Sequence, residues 1–481
     1  MAYKYYKDNR AYIEALLTTG DCVVVNEEVD WDLEMGAIVR RMCERKSPAA
    51  HFKKIKDYPG FEALGAPLAT YRRLAVALGL PPDAPIPEIA GEYLKRTSTN
   101  PIKPVTVDKK HAPCKEIVWL GDDANLFNLP APTIHDGDGG RYIGTWHFVV
   151  AKDFDTDFVN WGMYRQMVFD EKTMVGPVLP FSDMGKMFYN KFVPRGLPMP
   201  FATVICPDPL SAIASSAPSP IAEVEFTGQL MGEPVELVKC ETSDLYVPAH
   251  AEIIVEGEII PNVTILEGPF GEYTGYRTTP RDARAVYRVK AITMRNRAIM
   301  GVSNMGVPTD EGQLLRSFSL GLEMERMLRD QGLPISGVYM LPESTHHFVV
   351  VGVKPIYANI ATQIGQLVFG SKLGPWFHMV MVVDDKTDIY NKDEIIHTLS
   401  TKCNPATGIR IEPHGVGTPF YPFASADDRA SGRNPKVIFD CLFPNDWPTS
   451  AVPIKVSFNT VYPKEIQEKV LAKWHTYGFK D

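Results

Sequence analysis

The stretch from about residue 116 to 300 constrains the fold more than any other. Short β-branched runs at 144–150, 201–205, 234–239, 252–260 and 285–293 alternate there with Gly, Pro and Asp turns. Runs of that length, each closed by residues that turn the chain or cannot extend a ladder, predict a β-rich barrel or sandwich. A single long loop, Glu267-Gly-Pro-Phe-Gly-Glu-Tyr-Thr-Gly-Tyr276, interrupts the pattern. On either side the apolar period becomes helical. Tyr12, Ile13, Leu16 and Leu17 share a helix face, with Asp8 or Asn9 as its cap. A short strand at 22–26 follows, and Asp30-Trp-Asp32 offers a cap for a second helix through Ile38 and Met42. Beyond a proline-rich connector at 80–87 and the β-rich region, Leu320, Met324, Met327 and Leu328 form another helix face. Ile360, Ile364 and Val368 form a further one before a strand at 379–383. Such alternation predicts a second α/β layer. Near the end, Pro463 suits a helix N1 position ahead of Ile466, Val470 and Trp474. That helix packs on its own domain or docks on a neighbouring subunit.

Length and charge narrow the classes. At ~100–200 residues per domain, 481 residues make two to four domains. Lys and Arg number 50 against 58 Asp and Glu, a net charge of −8 that speaks against a nucleic-acid or anionic-membrane partner. The apolar runs at 348–353 and 377–383 fall far short of the ~20 residues of a membrane span. The opening Met1–Arg10 stretch is polar and lacks a signal-peptide core. Seven scattered cysteines contain no CxxC pair, so neither a disulfide framework nor a zinc site is expected, and a cytoplasmic setting is.

Four segments carry residue types suited to chemistry. Glu267 and Glu272 are five apart and would face opposite ways on a regular strand. Gly268-Pro269 and Gly271 break the strand, so the two carboxylates can converge, which pushes their pKa values apart and leaves one as a proton donor. Taken alone, the pair also fits an exposed acidic turn. In Val159-Asn-Trp-Gly-Met-Tyr-Arg165, an arginine fork for a carboxylate follows an asparagine that could serve a hard metal. In Ile221-Ala-Glu-Val-Glu225, Glu223 and Glu225 share a face on a strand and diverge on a helix, and periodicity decides neither. In Leu179-Pro-Phe-Ser-Asp-Met-Gly185, Asp183 stands in a turn before a helix, where a plain N-cap is the simplest role.

In this order the segments resemble the UbiD family of reversible decarboxylases. The signature is Glu267-Gly-Pro-Phe-Gly-Glu272 with Thr274-Gly-Tyr276, preceded by Leu245-Tyr-Val-Pro-Ala-His-Ala-Glu-Ile-Ile-Val-Glu-Gly257. Asp30-Trp-Asp-Leu-Glu34, Gly139-Gly-Arg-Tyr142, Val383-Asp-Asp-Lys-Thr-Asp388 and Trp474-His-Thr-Tyr-Gly-Phe479 extend the likeness along the whole chain. The resemblance implies a mixed α+β chain: an N-terminal α/β domain (1–115), a split β-barrel domain binding prenylated flavin mononucleotide (116–310), and a C-terminal α/β oligomerisation domain with its terminal helix (311–481). It implies a catalytic trio of Arg165, Glu267 and Glu272. Cofactor contacts would come from Asn160, Trp161, Gly162, Met163, Arg165, Ser182, Glu223 and Lys372.

A divalent metal, manganese, would sit on Asn160, Glu223 and Asp183, the last standing where the family has histidine; potassium is a candidate companion. Aspartate remains a hard oxygen ligand but adds a negative charge beside the cofactor phosphate. The aromatic segment 415–423 is placed near the substrate. The implied partners are a carboxylic acid, CO2, a flavin prenyltransferase as cofactor supplier, and further copies of the chain in a homodimer or homohexamer. The acid could be phenolic, heteroaromatic, polycyclic, CoA-linked or α,β-unsaturated. The alternatives are a UbiD-like subunit of a multi-subunit aromatic carboxylase, or a flavin-binding protein without decarboxylase activity.

Overall fold

The computed structural model describes residues 3–219 and 221–479; Met1 and Ala2, which open the polar N-terminal stretch, lie outside them. The first helix, Asn9–Thr19, buries Tyr12, Ile13 and Leu16 and is capped by Asp8, whose carboxylate accepts the Ala11 N–H. The strand Cys22–Val29 runs parallel to Ala49–Ile55, with the helix Glu34–Arg45 as the crossover. The second helix is present, but Asp30 and Asp32 do not cap it. Leu33 holds the N-cap position. Asp30 accepts the Asp32 N–H and pairs with Lys56, while Asp32 bridges to Thr133, so the Asp-Trp-Asp turn ties this domain to the start of the barrel.

The N-terminal sheet has the order Cys22–Val29, Ala49–Ile55, Glu62–Gly65, Ile299–Val302. Its last strand comes from the far end of the β-rich region and pairs in parallel with Glu62–Gly65. All four residues of Ile299–Val302 are buried, as a strand covered on both faces requires.

In the β-rich region a nine-stranded sheet curls into a half-barrel. Its spine is the antiparallel pair Ile253–Glu267 and Asp282–Met294, longer than the runs at 252–260 and 285–293 suggest. The run at 144–150 divides into Tyr142–Gly144 and His147–Lys152. Register shifts after Glu256 and after Ile260 bend the spine, as bulges do. At the first of these, a Cβ on Gly257 would lie 2.0 Å from the Arg288 carbonyl oxygen, so only glycine allows the two backbones to close. The Glu267–Tyr276 loop leaves the end of this spine, at the edge where Arg165 arrives.

The C-terminal domain is a five-stranded mixed sheet in the order Ile335–Met340, Phe348–Val353, Met379–Asp384, Arg433–Asp440, Ile409–Val416. The helices Glu311–Asp330 and Ile360–Gly370 cover one face, packing Leu320, Met324, Leu328, Ile360, Ile364 and Val368 on Val349, Val351, Val380 and Val382. The terminal helix Lys464–Ala472 follows Pro463, which takes the N-cap rather than N1 position. It buries no residue, and Leu471 is 62% exposed. Packing on its own domain is therefore not the arrangement seen, and its apolar side faces outward.

The close approach at Gly257 gives a stability prediction. Gly257→Val should lower stability by ~1–3 kcal/mol, the range for overpacking a closed core. Thermal unfolding checks it against Val263→Ala on the exposed part of the same strand, which should melt like the parent.

Candidate active site

Arg165 lies in the short break between the strands Val159–Gly162 and Gln166–Asp170. Its guanidinium grips Glu267 with two prongs, Nε to Oε1 and Nη2 to Oε2, each 2.9 Å. Nη1 donates to Glu272. The Tyr142 hydroxyl donates to Glu267 Oε1 at 2.7 Å. The guanidinium lies over the Phe270 ring, 5.3 Å from its centroid, and Phe270 packs on Tyr142. Both carboxylates are buried.

The loop converges because it is anchored between them. Glu267 ends the strand, and buried Phe270 pins the middle. The Gly271 N–H donates to Asp138, whose carboxylate also bonds His135. His135 in turn meets Asn304, just past the strand that completes the N-terminal sheet. The Glu272 N–H reaches the Tyr276 carbonyl and the Gly275 N–H returns to the Glu272 carbonyl, closing a tight turn.

Electrostatics set the protonation. Burial pushes the Glu272 carboxyl above its ordinary value, with Glu267 adding to that and Arg165 opposing it. Burial works against the charge on Arg165, but the Glu272 and Glu267 carboxylates outweigh it and hold the guanidinium protonated. Burial, reinforced by Glu267, keeps the Tyr142 phenol a donor. One cation between two buried carboxylates leaves one excess negative charge, which a proton on Glu272 removes.

Several of the remaining predicted residues gather around Trp161 and Tyr164, which precede Arg165 in the chain. Glu223 begins the helix Glu223–Met231 and is buried there, while Glu225 diverges from it. Glu223 accepts the Trp161 N–H at 2.9 Å. Its carboxyl is pushed up to about 7, by burial first and by Asp183 among other causes, with Lys372 acting against the shift. Lys372, though exposed on the C-terminal domain, is thus close enough to act on Glu223. Only the backbone of Trp161 faces Glu223; its indole stacks on Phe148 in the core at 4.5 Å.

Met163 packs on that core, and the Gly162 backbone lies against the Tyr164 ring. Buried Asn160 places its amide 3.5 Å from the Tyr164 hydroxyl. Ser182, not Asp183, is the N-cap of the helix Asp183–Met187. The Asp183 carboxylate is half exposed and paired with Lys186 at 2.9 Å. Among the described residues, no three His, Cys, Asp or Glu side chains converge as metal ligands. Sequence reasoning gave no role to Tyr142, Phe270, His135, Asp138 or Asn304. Tyr142 was visible only as the end of Gly139-Gly-Arg-Tyr142.

A buried arginine fork flanked by two carboxylates, at the end of a half-barrel and roofed by an α/β domain, is an arrangement suited to carboxylic-acid chemistry. The chain matches the N-terminal, Rift-related and C-terminal domains of 3-octaprenyl-4-hydroxybenzoate carboxy-lyase over residues 13–93, 105–308 and 313–441. It belongs to the UbiD family. It is 31% identical to the pyrrole-2-carboxylic acid decarboxylase of Pseudomonas aeruginosa, covering 98% of this chain and 99% of that one. The closed form of the vanillic acid decarboxylase of Sedimentibacter hydroxybenzoicus superposes with a TM-score of 0.88 at 28% identity, covering 98% of this chain and 99% of that one. An evolved dimeric form of the UbiD-class enzyme HmfF from Pelotomaculum thermopropionicum, in complex with prenylated FMN, gives 0.78 at 26%, covering 93% and 97%.

Tyr142 provides the prediction for this site. Tyr142→Phe removes a hydrogen bond to a buried carboxylate and should cost ~1.5–3 kcal/mol of stability. Calorimetry would measure it, with Tyr276→Phe, at an exposed ring, as the neutral comparison.

Proposed function

We propose that the protein catalyses the non-oxidative, reversible decarboxylation of an aromatic, heteroaromatic or α,β-unsaturated carboxylic acid, using prenylated FMN. The observation that carries this reading is the buried contact of Arg165 with both Glu267 and Glu272. Loss of CO2 from an sp² carbon leaves an in-plane carbanion that nothing delocalises, and side chains supply no electron sink; the modified flavin, when bound, supplies it. The residues present fit such a group. Asn160, Ser182 and Glu223 gather around Tyr164, Lys372 is close enough to act on Glu223, and a raised carboxyl at Glu223 beside Asp183 is the kind of site a bound cation relieves.

In this reading Arg165 holds the substrate carboxylate, because a planar fork matches it. Glu267 fixes the plane of that fork, and Tyr142 fixes Glu267. Glu272, kept protonated by burial, hands its proton to the carbon that loses CO2. Asn160, Glu223 and Asp183 would hold manganese, with potassium as a companion ion. A flavin prenyltransferase would supply the cofactor, and the chain would work in the cytoplasm as a homodimer or homohexamer. Among the described residues, no helix is long and apolar enough to cross a membrane.

Two experiments test these roles. Glu272→Gln keeps size and hydrogen bonding but carries no transferable proton. Turnover should fall ~10²–10⁴-fold, exchange of the product's ring hydrogen with deuterated water should fail with it, and flavin content should persist. A variant that exchanges and decarboxylates at the parent rate would overturn the assignment. Ligation by Asp183 requires its pair with Lys186 to open. Asp183→Asn should then weaken manganese binding in a direct titration, and unchanged affinity would assign Asp183 to the surface pair alone.

A further inference from the structure

Facing the catalytic loop, the C-terminal domain presents a cluster of rings that the mechanism above does not use. Tyr273, the residue after Glu272, stacks on His346 with centroids 4.7 Å apart and planes 21° from parallel. His347 lies 5.1 Å from His346, and His378 lies 5.4 Å from His347. Tyr421 backs both His347 and His378, at 4.6 and 4.7 Å.

His346 differs from its neighbours in three respects. It is 1% exposed. Both its ring nitrogens are buried and have no hydrogen-bond partner among the described residues, whereas one nitrogen each of His347 and His378 is left so, and His347 Nδ1 is bonded to the Trp376 carbonyl. Its backbone is in the left-handed region at φ 55°, directly after Thr345 at φ 53°. Non-glycine residues avoid that region, and two in succession mark a turn held in place by its surroundings, as functional sites often are.

The stack leaves one kind of surface for recognition. Tyr273 covers a face of the imidazole, and both nitrogens lie on the ring edge. A buried imidazole without partners is costly unless something hydrogen-bonds it. Burial also drives its pKa well below the usual value, so the ring is neutral, with one nitrogen a donor and the other an acceptor. A phenolic hydroxyl or a ring N–H matches that edge. A bare hydrocarbon ring would keep it dry and unpaired.

We propose that His346 determines specificity: its ring edge recognises a hydrogen-bonding group on the substrate ring, on the side away from the carboxylate held by Arg165. The proposal rests on the decarboxylase reading above. It makes the preferred substrate a hydroxylated or N–H-bearing aromatic acid, and the unsubstituted hydrocarbon acid a poor one. His347 packs on His346, and His378 on His347.

The test compares matched acids, para-hydroxybenzoate with benzoate and para-hydroxycinnamate with cinnamate, on the cofactor-loaded protein. The parent should favour the hydroxylated member of a pair it turns over by about 10-fold or more in kcat/KM, since a site built to bond a hydroxyl rejects the analogue lacking it. His346→Phe should bring that ratio close to one by losing rate on the hydroxylated acid alone, and His346→Gln, which still donates and accepts, should keep most of it. Equal rates on both acids in the parent, or an unchanged ratio in a His346→Phe protein that melts like the parent, would overturn the proposal. If His346→Phe does not fold, a His346→Gln ratio near one overturns it, because the retained amide should preserve the bond. Calorimetric binding of the same acids in the Glu272→Gln background separates the two readings. Selective binding that His346→Phe abolishes, with no turnover of any acid by the loaded parent, would sink the decarboxylase reading and leave the role of His346 standing.

Discussion

The two-pronged bond between Arg165 and Glu267 is the interaction on which the rest of this structure depends. Taking a guanidinium and two carboxylates out of water costs several kcal/mol per ion, and their attraction offsets it only when geometry is good and the remaining lone pairs are satisfied. Here Tyr142 satisfies Glu267, and Phe270 offers the guanidinium a ring face. The excess negative charge falls on Glu272, whose burial favours a proton there. The same desolvation that makes the site costly thus sets the protonation pattern an acid catalyst needs.

Holding that geometry requires all three parts of the chain. Glu267 is fixed by the long strand pair of the half-barrel, and Arg165 by a break between two of its shorter strands. The loop carrying Glu272 is tied through Asp138 and His135 to Asn304, and Asn304 follows the strand that completes the N-terminal sheet. The C-terminal domain closes the other side. Arg316, on its first helix, lies over Trp376 at 3.7 Å, and Trp376 meets Phe181 of the loop before Ser182. The three domains are joined around the segments that carry Arg165 and the Glu267–Tyr276 loop.

Local signals in the chain read well where one physical effect dominates. The helix faces at Tyr12–Leu16, Leu320–Leu328 and Ile360–Val368 are buried because apolar spacing near 3.6 leaves few other ways to shelter them. The strands at 199–205 and 379–384 follow from β-branched residues between turns. Reading was weaker where two effects compete. Glu223 and Glu225 fit either period until the fold made a helix and buried only the first. Asp30 and Asp32 have the chemistry of caps, but distant partners at Lys56 and Thr133 claimed them. Trp161 is implied by the resemblance as a cofactor contact, yet its ring fills the core on Phe148.

By itself, the sequence determined the order of the parts, the β-rich middle between two α/β regions, and which residue types could do acid chemistry, because composition, spacing and motif are properties of the chain. It also showed that Gly268, Pro269 and Gly271 must break the strand between Glu267 and Glu272. Only the tertiary structure decided which groups meet. Arg165 and Glu267 are 102 residues apart and the His135–Asn304 contact spans 169, and no local rule relates such positions. The inward place of Glu223 and, among the described residues, the unbonded ring nitrogens of His346 were likewise decided by burial. What surrounds a polar group sets its charge and its partners, and those surroundings exist only once distant segments have packed.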